Sequence, residues 1–193
     1  MNDTSISRFP IPELTNLPDD LRASILGVQQ KVGVVPNVFL VLAHQPAEFR
    51  AFFDYHDALM DNDVGLSKAE REMIVVATSA VNDCLYCVVA HGAVLRIRAK
   101  NPLIADQLAT NYRKAQLTPR QHAMIAFAVK LSSNGGEIED SDFAALRQHG
   151  FDDEAIWDIG AITAFFTMSN RLVHLSGAPP NEQFYLMGRV ARS

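Results

Sequence analysis

The chain has 193 residues, 48% of them hydrophobic and 20% charged, with ten glycines, nine prolines and two cysteines. That length fits one medium domain able to fold without staples, and the composition is that of neither a disordered nor a membrane-spanning chain. A net charge of -5 argues against a basic stripe, so neither nucleic acid nor an anionic membrane surface is expected as a partner.

Pro10, Pro12 and Pro18 each fix φ and remove a donor, so residues 1–18 are expected to form an extended N-terminal arm over the domain surface. Met1–Ser5 lacks the basic start of a secretory signal, and no run reaches the roughly 18 apolar residues of a spanning helix, which makes a cytoplasmic protein the expectation. Asp19 and Asp20 can cap a helix through about Gln30, with Leu21, Ile25 and Val28 on one face and Gly33 at its end. In the apolar run Val32–Leu42, Pro36 favours a short helix to about Ala43 over a strand. Pro46 opens a helix to Met60 in which Phe49, Phe52, Phe53, His56, Leu59 and Met60 form one buried face. His56 reads as a packed histidine, because no second ligand-type residue shares its stripe.

Leu66-Ser67-Lys68-Ala69-Glu70 is a capping box, and the helix it starts runs to about Ala80. It is apolar all round and therefore central, with Glu72 as the polar exception. Asn82 or Asp83 can cap the next helix, which carries Cys84, Cys87 and His91 and ends in the basic stretch Arg96–Lys100 before Pro102. A short helix near Leu103–Tyr112 follows. Thr118 and Gln121 then repeat the Ser67/Glu70 opening fifty-one positions on, and Met124, Ile125 and Ala128 match Met73, Ile74 and Ala77. This repetition suggests a duplicated helical hairpin, 66–98 and 117–172, whose second copy has no cysteine and has Ala123 where the first has Glu72. Ser132–Gly136 reads as a loop, and a helix near Ser141–His149 closes on Gly150. A final helix from Asp153 to Leu172 presents Ile156, Ile159, Thr163, Phe166 and Asn170 as a core or subunit-interface stripe. Phe184–Met187 is an apolar patch that wants a partner surface. With no long period-2 alternation, the fold class is all-α, in a single domain over 1–193.

Both cysteines lie in Asn82-Asp83-Cys84-Leu85-Tyr86-Cys87-Val88-Val89-Ala90-His91. On a helix Cys84, Cys87 and His91 share one face at i, i+3 and i+7. A thiol in the first turn feels unpaired amides that favour its thiolate, the form that attacks a peroxide or a disulfide. A second thiol three residues away can condense with the resulting sulfenic acid. His91 can accept or relay the thiol proton. Proximity to the helix terminus favours Cys84 as nucleophile, and proximity to His91 favours Cys87. Two cysteines packed only as small hydrophobes would rarely take this spacing. A zinc site could draw on Cys84, Cys87, His91 and Glu72. A thioredoxin-like site would need flanking strands, and the flanks are helical. A redox dithiol ranks first. Glu72 reads either as a solvated residue beside Arg71 and Lys68 or as a buried carboxylate, whose raised pKa would let it shuttle a proton.

The spacing Glu72, Cys84-x-x-Cys87, His91, and the phrase Asn-x-Cys-x-Tyr-Cys-x-x-x-His, resemble the signature of the alkylhydroperoxidase D branch of the carboxymuconolactone decarboxylase-like superfamily, its peroxidase-related members in particular. Most of residues 30–175 is similar to the same helical fold. The resemblance implies an antioxidant enzyme that reduces organic hydroperoxides with protein thiols and no cofactor. It also implies a homotrimer or homohexamer, reduced by an external dithiol of the thioredoxin or lipoyl type. Carried over by position, Cys87 would be the peroxidatic thiol and Cys84 the more exposed proton donor and resolving thiol, with Glu72 and His91 completing a proton relay. Tyr86 stands where the family pattern has a histidine. The founding decarboxylase type has this fold without the cysteine pair.

Overall fold

The computed structural model describes residues 6–189, and the expectations for Met1–Ser5 lie outside them. Ten α-helices follow in order among the described residues: α1 (Asp19–Val32), α2 (Asn37–Leu42), α3 (Pro46–Met60), α4 (Lys68–Val81), α5 (Leu85–Ala99), α6 (Ile104–Asn111), α7 (Pro119–Asn134), α8 (Asp140–Gln148), α9 (Asp153–Ser176) and α10 (Gln183–Leu186). No strand occurs among them, so the fold is all-α, as the absence of period-2 alternation predicts.

The capping box that starts α4 forms as expected. Ser67 Oγ accepts the Glu70 N–H at 3.2 Å, and Glu70 Oε2 accepts the Ser67 N–H at 3.0 Å. Thr118 and Gln121 make the same reciprocal pair at the start of α7. Every residue from Glu70 to Ser79 is buried, and α5, α6, α7 and α9 all pack against α4. A helix that is apolar all round has no face to give to water, so it becomes the axis of the bundle. Phe52 of α3 extends that core, lying 4.7 Å from Phe165 of α9 between ring centroids.

Two boundaries differ from the sequence-based expectation. Ser132–Asn134 is not loop but the last turn of α7, because the Ser132 hydroxyl accepts from Asn82 Nδ2 at 3.0 Å and pairs with Thr167 Oγ1 at 3.1 Å. Helix α9 runs a turn beyond Leu172, to Ser176, and stops at Gly177 with φ +74°. A Cβ there would also come within 2.8 Å of Arg8 Nη1. Arg8 belongs to the N-terminal arm, which includes one 3-10 turn at Leu14–Asn16 and is tied down rather than free: Arg8 N–H donates to Ser176 O at 2.8 Å and its guanidinium to His174 O. The apolar stretch near the C-terminus is partly folded back, with Phe184 buried on α5 while Leu186 stays 76% exposed. Arg96 of α5 holds it through bonds of 2.8 Å to the carbonyls of Phe184 and Met187.

Arg71, on α4, is completely buried and knots three segments together. It donates to Leu59 O (2.7 Å), to Asn62 Oδ1 and Val64 O in the turn before α4, and to Asp158 of α9 (2.7 Å). Removing one member of such a cluster strands the others without partners. Arg71→Ala is therefore expected to lower unfolding stability by about 3 kcal/mol, read from the urea midpoint at unchanged helical content. A midpoint equal to wild type would show that the cluster is not a structural knot.

Candidate active site

The thiols sit where α4 reverses into α5. Asn82 ends α4, Asp83 takes a left-handed conformation (φ +54°), and Cys84 is itself the N-cap of α5. The sequence predicts Asn82 or Asp83 as cap; the reversal is too tight for that, since the Cys84 N–H already closes on Ser79 O at 2.9 Å. Aspartate tolerates the left-handed region better than most residues, which suits Asp83 to the turn. Cys84 thus stands just outside the helix as its cap, and Cys87 occupies the first turn.

That placement divides the acidity of the pair. Cys84 is lowered to about 7, first by the hydrogen bond from the Cys87 thiol and against the effect of burial, then by the Cys87 N–H, the charge of His174 and the Asn170 side chain. Cys87 is pushed well up by its bond to Cys84, by burial and by the Cys84 charge, with Asn170 and Ser169 pulling the other way. Of the two thiols, Cys84 is therefore the one favoured to lose its proton first. The resemblance implies a Cys84 more exposed than Cys87, yet the two are 1% and 2% exposed. Val41, Tyr86, Val173 and Ala178 surround them, and Ile11 of the arm packs on the outside.

Tyr86, between the cysteines, is buried, and burial raises its hydroxyl well above the ordinary tyrosine range. The hydroxyl oxygen accepts the Val38 N–H at 3.2 Å and so fastens α2 over the thiols. Asn181 fastens the same helix from outside, accepting the Asn37 N–H at 2.8 Å and donating to Val35 O at 2.9 Å. Between α2, α3 and α9 a cleft of about 10 Å³, room for one water, is lined by Val38, Val41, Phe52, Leu172 and Ser169. Ser169 connects it to Cys87.

Glu72 is buried, not solvated. Its Oε2 lies 2.8 Å from His91 Nδ1 and its Oε1 3.0 Å from Arg98 Nη1. The bond to a carboxylate marks Nδ1 as the protonated nitrogen and leaves Nε2 free to accept. The His91 ring stands edge to face on Phe166 at 4.7 Å. Half-buried His56 lies 6.3 Å away between ring centroids, with its own Nδ1 on Asp57. Glu72 and His91 come together as the resemblance implies, whereas neither thiol has either of them as a partner. As a cap residue, Cys84 meets Asn170 and His174 of α9 rather than the α5 face that holds His91. The four residues therefore do not converge on one point. Among the described residues no three His, Cys, Asp or Glu side chains are grouped so that they could hold a metal ion.

Sequence reasoning missed Ser169, Asn170 and His174 as neighbours of the thiols. The available signal was a pair of adjacent polar residues in the otherwise apolar stripe of α9, where a buried amide must find partners.

Two outcomes follow from this geometry. In the reduced protein, alkylation of Cys84 should accelerate as pH rises through about 7 and level off above it. Cys87→Ala should move that midpoint upward, since the largest cause of the low value is lost; a wild-type midpoint at or above that of an ordinary thiol would contradict the assignment. Tyr86→Phe leaves the Val38 N–H unpaired, which costs about 1 kcal/mol. It should speed amide hydrogen exchange across Asn37–Leu42 while sparing α4.

The model of the carboxymuconolactone decarboxylase family matches residues 46–102, which span α3, α4 and α5. None of the curated proteins matches the chain. Among solved structures, a peroxidase-related protein from Ralstonia eutropha JMP134, described as an alkylhydroperoxidase AhpD core, is 64% identical over 97% of this chain and 99% of its own, with a TM-score of 0.96. A peroxidase-related protein from Silicibacter sp. TM1040 is 38% identical over 98% and 99%, with a TM-score of 0.92. The debrominase Bmp8, 19% identical over 94% and 95% at a TM-score of 0.78, shares the fold. With identity of this level along nearly its whole length and the family motif on α4 and α5, the chain belongs to the alkylhydroperoxidase D-like branch of the carboxymuconolactone decarboxylase-like superfamily.

Proposed function

We propose that this protein is an antioxidant thiol peroxidase that reduces organic hydroperoxides by cycling Cys84 and Cys87 between dithiol and disulfide. The observation that carries the reading is the pair of free, buried thiols at the start of α5, with Cys84 as the cap and the more acidic of the two. The peroxidase-related naming of the two relatives supports the same class of reaction. The cleft beside Ser169 is lined mostly by apolar side chains, the kind of surface an alkyl group would contact once the cleft widens. Its present size requires α2 to move outward as substrate enters.

In the reaction, the Cys84 thiolate attacks one oxygen of the O–O bond, forming a sulfenic acid and expelling alkoxide. The Cys87 thiol gives the alkoxide its proton, and alcohol leaves. The new Cys87 thiolate then attacks the Cys84 sulfur, closing the disulfide and releasing hydroxide, which takes a further proton to become water. That last proton comes from solvent, since His91 is held by Glu72 and neither thiol has it as a partner. Two electrons have passed from the thiols to the peroxide, and an external dithiol of the thioredoxin or lipoyl type returns them. Sequence resemblance implies the reverse order, with Cys87 attacking; the distribution of charge within the pair favours Cys84.

Turnover of tert-butyl hydroperoxide with a dithiol tests the reading. Wild type should cycle, and Cys84→Ser should neither cycle nor form a sulfenic acid. Cys87→Ser should yield one trapped sulfenic acid on Cys84. Trapping on Cys87 in Cys84→Ser alone would restore the order implied by resemblance, and a wild type that peroxide oxidises once and no dithiol can recycle would sink the enzyme.

A further inference from the structure

Asn170 of α9 is fully buried, and its orientation is dictated from both ends. Asn82 Nδ2 donates to its Oδ1 at 3.0 Å, and its Nδ2 donates to Ser79 Oγ at 3.0 Å. Turning the amide over would set two NH₂ groups against each other. Asn82 is fixed in turn, its Nδ2 on Ser132 Oγ at 3.0 Å and its carbonyl on His174 Nε2 at 2.9 Å. One amide proton of Asn170 is thereby committed to Ser79, and the other is left for the sulfurs. Asn170 lies beside the turn in which the Cys84 N–H binds the Ser79 carbonyl, and its side chain favours the thiolate of both Cys84 and Cys87, as Ser169 does for Cys87 and the charge of His174 for Cys84.

We propose that Asn170 is a catalytic hydrogen-bond donor to this dithiol: its amide, aimed by Ser79 and Asn82, holds the anionic sulfur whichever of the two cysteines carries it. The proposal rests on the dithiol chemistry above and adds a residue from α9 that lies outside the CxxC motif. In the resting pair the anion is on Cys84. It passes to Cys87 once that thiol has given up its proton, and returns to one of the two sulfurs when a reductant opens the disulfide. A donor within reach of both sulfurs serves every one of these states without rearranging, and a buried donor that needs no reorganisation is worth more than one in water. Asn170 makes no bond to the disulfide-forming partner's backbone and leaves the redox balance unchanged: it supplies neither a proton nor an electron.

Asn170→Asp is the informative variant, because aspartate keeps the shape and can still accept from Asn82 and from the Ser79 hydroxyl while replacing the donor by negative charge. The Cys84 midpoint, read from the pH dependence of alkylation, should rise by about one unit or more, slowing alkylation at neutral pH roughly tenfold. The disulfide should become harder to reduce in a glutathione equilibrium, since the thiolate it must release is less stable. Asn170→Ala should move both readouts the same way by less. A folded Asn170→Asp protein with the wild-type alkylation profile overturns the proposal. Should the variants not fold, the side-chain amide resonances of Asn170 in labelled wild-type protein decide: they should shift with the Cys84 midpoint, and resonances indifferent to that titration overturn it. Neither readout uses peroxide, so failure here and failure of the peroxidase reading are separate results.

Discussion

The bond between the Cys84 N–H and the Ser79 carbonyl, 2.9 Å long, is the constraint on which the chemistry of this protein depends. It forces α4 to reverse into α5 within a few residues, places Asp83 in the left-handed region and leaves Cys84 as the cap instead of Asn82. A cysteine inside the first turn would point along the α5 face toward His91. A cysteine at the cap points across to α9, and it collects the Cys87 amide and thiol as donors. From one backbone bond come both the lowered pKa of Cys84 and its separation from the Glu72–His91 pair.

Burying that arrangement demands that every polar group near it be paired. Ser79 and Asn170 have no exposed surface, and the chain Ser132, Asn82, Asn170, Ser79 passes hydrogen bonds from α7 through the turn to α9 and back to α4. Each of these side chains would cost free energy alone in an apolar core, and together they leave the interior little freedom to repack. The same logic applies to Glu72, whose carboxylate faces His91 on one oxygen and Arg98 on the other. Around the thiols the cover is made of light pieces: the short α2, the arm at Ile11 and the segment after α9. Such elements bury little surface of their own and are suited to opening at low cost.

Much of this was legible beforehand. Ser67/Glu70 and Thr118/Gln121 mark helix starts by local chemistry, Pro46 opens α3, and the apolar run after Glu70 announces a central helix. Each depends on residues within a turn of one another, which is the range over which a sequence is informative. Ser132 misled for the same reason: Ser-Ser-Asn-Gly-Gly is loop chemistry locally, and only contacts to Asn82 and Thr167 hold it helical. The Glu72–His91 pair was within reach because it joins two adjacent helices whose registers follow from their caps.

The sequence by itself determined the helical class and the position of the CxxC at a helix start, because helix periodicity and capping are written in neighbouring residues. Only the tertiary structure decided which sulfur holds the charge. That depends on Cys84 being the cap and on Asn170 and His174 arriving from α9, more than eighty positions away, and no local pattern specifies what a distant helix brings to a buried turn.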